Sequence, residues 1–210
     1  MSKVRGFEVA LTTEKMTADG KATEVGVPQY EDVILPKRET AKSAGYDFRA
    51  AEDVVIPSIW SGVAQILMHE ANGIVKNWIQ EFIKGKKGTE EQVEKIKKEN
   101  VKAFQPSFIH TGIKAYMQDD EVLEIYVRSS TPKKFGLILA NSVGIIDADY
   151  YNNPDNDGEI MLMVYNLFPF SVKIKKGERV GQGIFKKFYR ADNDVVTGTR
   201  LGGNGSTDNN

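Results

Sequence analysis

The apolar residues of this chain fall into two rhythms, and the change between them limits the fold. Over residues 1–58 they come as short runs broken by turn residues: FEVALT, EDVILP, YDFRA and DVVIP. Over residues 108–190 the pattern resumes as FIHTGIKAYM, VLEIYVRSS, GLILANSVGIID, EIMLMVYNLF, VKIKKG and RVGQGIFKKFY. Such runs read as short strands, and Pro36 and Pro57 fall at run ends, where a strand tolerates proline. Turn signals separate them at Gln118-Asp119-Asp120, Pro132-Lys133-Lys134, Asn152 to Gly158 and Lys175-Lys176-Gly177. Many short strands with polar turns predict a mainly β sandwich or jelly-roll rather than a parallel α/β sheet.

The second rhythm runs from 59 to 104. Ile59, Val63, Ile66, Leu67, Ile74, Val75, Trp78, Ile79, Phe82 and Ile83 recur every three or four positions, the spacing of an amphipathic helix. GKKG at 85–88 ends it, and Thr89 with Gln92 forms a capping box for a second helix that Pro106 stops. The spacing predicts a helical hairpin, 59–104, inserted into a β domain made of 1–58 and 105–190. Residues 191–210, ending GTRLGGNGSTDNN, lack an apolar anchor and are expected to form a mobile glycine-rich arm.

Composition narrows the function. The 28 Lys and Arg nearly balance the 29 Asp and Glu, for a net charge of −1. That balance gives no global basic excess for nucleic acid and no acidic excess for disorder. No cysteine is present, which excludes disulfides and thiol chemistry, and with His69 and His110 alone a zinc site is not expected. No apolar run approaches the roughly 18 residues of a membrane span, and the N-terminus lacks a signal-peptide core. A cytoplasmic location is the default expectation.

Five stretches carry candidate chemistry. In NSVGIIDADYY, Asn141 to Tyr151, an apolar run leads directly into Asp147. Such an Asp is either a turn residue or a positioned carboxylate that deprotonates a water, with Tyr150 offering a flat face to a ring or sugar. Arg128, Ser129 and Ser130 are either a surface strand end or an anion grip built from a guanidinium and two hydroxyls. RLGGNGST at 200–207 is either a flexible tail or a backbone that curls around phosphate. Gln182, in the run after Gly177 and Arg179, is an edge residue or a ligand contact. Asp47, after the Gly45-Tyr46 pair, caps a turn or holds an arginine or a metal-bound water.

The order of these stretches is more specific than any one of them. AGYD, then RSS, then N-x-x-G-x-I-D-x-D-Y, then GERxxQ, then a terminal GG-x-GST resembles the five motifs of the trimeric dUTPases, and RSSTPKKFG resembles their bacillary and phage branch. The resemblance implies a jelly-roll subunit, a homotrimer with active sites shared between subunits, and hydrolysis of dUTP to dUMP and pyrophosphate with Mg²⁺. It implies that the metal is held by triphosphate oxygens and waters, with Asp47 reaching it through water. Carried over, Asp147 activates the attacking water. Tyr150 packs on the deoxyribose and leaves no room for a ribose 2′-hydroxyl. Asn141, with the strand around Gly144 and Ile146, addresses uracil. Arg128, Ser129, Ser130 and Gln182 meet the phosphates, and Arg200, Gly202, Gly203, Gly205, Ser206 and Thr207 close over them.

Three departures from the family pattern stand out. Asn204 replaces an aromatic lid residue, Gly181 replaces an alanine, and the Asn152–Gly158 loop is longer than the usual turn. Two rival readings accompany the main one. The first is a dCTP deaminase-like enzyme of the same fold, although no separate acid is placed for a proton shuttle at the base. The second is a regulatory binding protein that engages a partner through 59–104, where Trp60, Trp78 and Phe82 would anchor it.

Overall fold

The computed structural model describes residues 3–11, 13–16, 22–25, 30–61, 64 and 105–195. Its strands, in chain order, are β1 Gly6–Val9, β2 Thr13–Met16, β3 Ala22–Val25, β4 Tyr46–Arg49, β5 Val54–Ile56, β6 Ser107–His110, β7 Ile113–Tyr116, β8 Glu121–Val127, β9 Leu137–Leu139, β10 Gly144–Asp147, β11 Met161–Asn166, β12 Val172–Ile174 and β13 Arg179–Lys187. They pair antiparallel, in a four-stranded sheet β10-β8-β13-β4, a three-stranded sheet β6-β11-β9, and the pairs β1-β7, β5-β12 and β2-β3. The architecture is mainly β, as the short apolar runs predict, and is the jelly-roll that the family resemblance implies.

Period-two alternation explains how the core forms. Along β11, Leu162, Val164 and Asn166 point inward; along β8, Glu121, Leu123 and Ile125 do so. Phe48, Ile56, Ile109, Ile113, Leu137 and Ile174 complete a single buried cluster with them. Two inward polar residues are satisfied. Asn166 donates to Ile56 O and Phe170 O at 3.2 and 2.8 Å. Arg5 grips Glu121 from Nε at 2.9 and 3.0 Å and through a further Nη2 bond. Strands before and after the 62–104 stretch share sheets, β4 with β13 and β5 with β12.

Four details differ from the sequence reading. EDVILP is not a strand: residues 31–36 form a turn and irregular chain, Asp32 has φ 53°, and Ile34 and Leu35 are exposed. Only Lys37, beyond Pro36, makes a bridge, to Asp47. FIHTGIKAYM is two strands split at Thr111-Gly112. The turn expected at Pro132 is one helical turn, Thr131–Phe135, because Pro132 suits a helix start and Gly136 closes it at φ 65°. The β2–β3 hairpin carried no signal that the sequence reading used. Residues 59–61 and 64 are helical. The rest of the expected hairpin, and the arm residues Arg200, Gly202, Gly203, Asn204, Gly205, Ser206 and Thr207, lie outside the described residues.

Candidate functional site

The expected site residues fall into two groups on the four-stranded sheet. The first gathers around Asp47 on β4. Its carboxylate is almost fully buried and takes Nε of Arg128 on Oδ1 at 2.8 Å and Nη1 of Arg179 on Oδ2 at 3.1 Å. Its N–H donates to Lys37 O at 3.0 Å. Gln182 stands opposite Asp47 in the β13–β4 register and opposite Tyr126 in β8, and its Nε2 donates to Val127 O at 3.4 Å. Arg128, just past the end of β8, also reaches Ser130 Oγ at 3.5 Å. Ser129 and Ser130 are exposed, and the Ser130 hydroxyl does not cap the helix that follows. It is available to an oxyanion. Gly45 leaves room for this amide: a Cβ on it would lie 2.3 Å from Gln182 Oε1 and displace that side-chain end.

Arg179 and Glu39 were not among the expected site residues. Arg179 Nη1 lies 3.1 Å from Asp47 and 3.2 Å from Glu39, so one carboxylate holds two guanidinium groups and a second carboxylate restrains one of them. GER gives no hint that its arginine reaches back to Asp47, because that contact depends on strand pairing over a separation of 132 residues.

The second group sits at the opposite corner. β10 is an edge strand, so the backbone groups along its outer side are not used by the sheet. Asn141 lies in the turn before it, where Ser142 has φ 64°, and Asn141 Nδ2 is 3.9 Å from the Cβ position of Gly144. Ile146 packs its side chain against the core. Asp147 ends the strand and is exposed. Tyr150 closes the 3-10 turn Ala148–Tyr150 and is 6% exposed, so little of its ring reaches solvent. Its hydroxyl donates to Glu159 O at 3.1 Å and accepts from Asn156 Nδ2 at 2.9 Å. Beside Asp147 is a cavity of about 370 Å³ lined by Asp119, Glu121, Ala148, Asp149, Phe188 and Arg190. The hydrogen bond from Arg5 holds the Glu121 carboxyl below its ordinary range.

Strand register relates the two groups. Asp47 faces Gln182, Gln182 faces Tyr126, and Asp147 faces Val122. Directly paired residues, and residues two apart on a strand, share a face, so Asp47 and Asp147 both project from the outer side of this sheet. They are three strands and four residues apart, so in a flat sheet their Cα atoms are roughly 20 Å from each other. An arginine side chain cannot span that gap. Within one chain, the Asp47 cluster and Asp147 do not converge on a single small ligand.

Comparison with known proteins gives a consistent result. The family model for dUTPase matches residues 92–206. A deoxyuridine 5′-triphosphate nucleotidohydrolase of Lactococcus lactis subsp. lactis (strain IL1403) is 38% identical over 209 residues, 98% of each chain. One from Desulfitobacterium hafniense (strain DSM 10664 / DCB-2) is 37% identical over 103 residues, 47% of this chain and 59% of that relative. Among solved structures, the dUTPase from Streptococcus mutans superposes with TM-score 0.55 at 34% identity, covering 89% of this chain and 98% of that one. The Staphylococcus bacteriophage 80alpha dUTPase with dUPNHPP superposes at 0.52 and 14% identity over 93% of this chain and 89% of its own, a likeness of fold alone.

Proposed function

This chain belongs to the dUTPase family, and from that premise we propose how its residues hydrolyse dUTP to dUMP and pyrophosphate. Asp147 accepts a proton from a water as that water's oxygen attacks the α-phosphorus. The bond from the α-phosphorus to the α,β-bridging oxygen breaks, and pyrophosphate leaves. A base positioned this way contributes about 10²–10⁴-fold. Asn141 and the free backbone edge of β10, around Gly144 and Ile146, address uracil. Tyr150 bounds the sugar. Arg128, Ser129, Ser130 and Gln182 hold phosphate oxygens. The sequence motif Arg200, Gly202, Gly203, Gly205, Ser206 and Thr207 is assigned to the same triphosphate.

The observation that carries this reading is the convergence of Asp47, Arg128, Arg179 and Gln182 next to two exposed hydroxyls. A triphosphate brings roughly four negative charges, and its site needs fixed donors and cations to offset them. Asp47 gives both its oxygens to guanidinium groups, which suits contact with a cation through water rather than direct ligation. Mg²⁺ keeps several waters and binds substrate phosphates readily, so these residues fit a metal carried on the triphosphate. When bound, it neutralises phosphate charge. A cytoplasmic setting fits this substrate; among the described residues, no helix is long and apolar enough to cross a membrane.

The roughly 20 Å between the two groups supports a site completed by a second copy of the chain, within a homotrimer. The same outer face presents Ile145, 55% exposed, with half-buried Ile184 and Tyr126 around the Glu124–Lys186 ion pair, a surface that a neighbouring copy would cover. The test is pyrophosphate release from dUTP and from each of the four standard deoxynucleoside triphosphates, for wild type and Asp147→Asn. Release from dUTP alone, reduced at least about 10²-fold by the substitution, is the expected result. Equal release from dCTP or dTTP, or an Asp147→Asn enzyme of full activity, overturns the reading.

A further inference from the structure

The Asn152–Gly158 loop, longer than its family pattern, leads to a carboxylate with no exposure at all. Glu159 is 0% exposed. Its Oε1 accepts from Gly112 N at 2.9 Å, and its Oε2 lies 3.0 Å from His110 Nδ1. Both partners belong to the β6–β7 corner, which lies beside the start of β11, where His110 pairs with Met161. A wholly buried carboxylate is costly unless its hydrogen bonds are made, and these fix its backbone as well as its side chain. The adjoining Ile160 N–H donates to Ile113 O at 2.8 Å, and Thr111 Oγ1 donates to Ile160 O at 2.5 Å.

The carbonyl of this immobilised residue receives the Tyr150 hydroxyl at 3.1 Å. Asn156 closes the triangle. Its Nδ2 donates to Tyr150 Oη at 2.9 Å and to Glu159 O at 3.3 Å, while its Oδ1 takes Gly158 N at 3.2 Å and Asn153 Nδ2 at 2.6 Å. A second buried anchor holds the loop nearby: Asp157 accepts from Lys114 Nζ at 2.8 Å and Leu11 N at 2.7 Å. The tyrosine three residues after Asp147 is thus pinned from beneath by a brace fastened to other strands.

We propose that Glu159 is a positioning residue: anchored by Gly112 and His110, it fixes the Tyr150 ring through its own carbonyl and so sets how sharply the site separates deoxyribose from ribose. The proposal rests on the reading of Tyr150 as the wall of the sugar pocket. Glu159 touches no substrate. A ring free to tilt by a fraction of an ångström admits a 2′-hydroxyl that a pinned ring excludes.

The experiment is a cycle of Glu159→Gln, Tyr150→Phe and the double variant, read as the ratio of kcat/KM for dUTP to that for UTP. Glu159→Gln keeps shape while weakening the anchor; Tyr150→Phe keeps the ring and removes the pin. Each single variant is expected to lower the ratio by about tenfold, equivalent to about 1.4 kcal/mol, or one hydrogen bond. The double variant is expected to lower it no further than Tyr150→Phe does, since both act on one contact. Should Glu159→Gln not fold, His110→Gln loosens the same anchor from its half-exposed end and is expected to shift the ratio in the same direction. Multiplying losses in the double variant, or a ratio unmoved by loosening the anchor, overturn the proposal. A wild-type enzyme that hydrolyses dUTP without discriminating against UTP overturns the sugar-wall reading itself.

Discussion

Arg128 donates from Nε to Asp47 Oδ1 at 2.8 Å, joining residues 81 apart in sequence, while Arg179 occupies the other oxygen of the same carboxylate. The Asp47 side chain is 8% exposed, Arg128 23% and Arg179 36%. Asp47 therefore sets the positions of two cations as well as carrying charge of its own. Asp47→Asn leaves both guanidinium groups beside a neutral amide. Removing one partner of a fully buried pair costs about 3–5 kcal/mol, but these arginines reach solvent, so the expected loss is about 1–2 kcal/mol. Thermal melting is expected to fall by several degrees. KM for dUTP is expected to rise, because Arg128 no longer meets the phosphates at a fixed angle. A variant with wild-type Tm and KM would show that the network is incidental.

Register places Asp147 and Arg128 at opposite ends of β8, since Asp147 pairs with Val122 and Arg128 follows Val127. If one active site takes them from different chains, two inactive variants should rescue each other. Asp147→Asn and Arg128→Ala, each nearly inactive, are mixed after partial denaturation and refolded together. In randomly mixed cyclic oligomers roughly a quarter of sites pair an intact Asp147 with an intact Arg128. Recovery of about that share of wild-type kcat is the expected result. No recovery, despite exchange of subunits shown by mass, would place both residues in one chain's site.

Much of this was legible before any coordinates. The mainly β class followed from strand-length runs, because period-two alternation and turn residues are local signals; the choice of jelly-roll over sandwich came from the order of the motifs. Asp47, Arg128, Asp147 and Gln182 could be singled out because each lies in a short motif, and motif order survives in sequence. Pairing at long range was not legible. Arg179 looks like any strand-edge arginine until β13 is laid against β4. Glu159 looks like an ordinary polar residue after a glycine, yet it is wholly buried because its partners come from the β6–β7 corner. EDVILP failed for a local reason: Pro36 and the positive φ at Asp32 break an otherwise strand-like run.

Gly45 bears directly on Gln182. An alanine Cβ there would fall 2.3 Å from Gln182 Oε1 and 3.1 Å from its Cδ. The amide must swing away, losing its hold on Val127 O. Gly45→Ala is expected to raise KM for dUTP by about three- to tenfold, on the order of 1 kcal/mol of lost phosphate binding. Stability should change by less than about 1 kcal/mol, since the clash is with the end of a flexible side chain. Combining Gly45→Ala with Gln182→Ala is expected to match Gln182→Ala alone. An unchanged KM in Gly45→Ala would mean that Gln182 does not touch the substrate.

The His110–Glu159 pair gives stability a pH dependence of defined sign. The hydrogen bond to buried Glu159 raises the His110 pKa above its ordinary value, against a smaller opposing effect of burial, and Glu52 adds to the rise. Tyr30, whose ring centroid is 6.1 Å from that of His110, is pushed up by burial, well above the ordinary tyrosine value, and stays neutral throughout. The imidazole thus binds its proton more tightly when folded. Its contribution is complete below about pH 6.5, the ordinary histidine value, and is lost as pH rises through the higher folded value. Melting wild type and His110→Gln side by side should show wild type ahead near pH 6 and the gap narrowing at alkaline pH. The neutral imidazole can still donate from Nδ1, so a residual gap is expected to persist. A gap that stays constant, or widens, between about pH 6 and 9 would mean that His110 carries no extra proton in the folded chain.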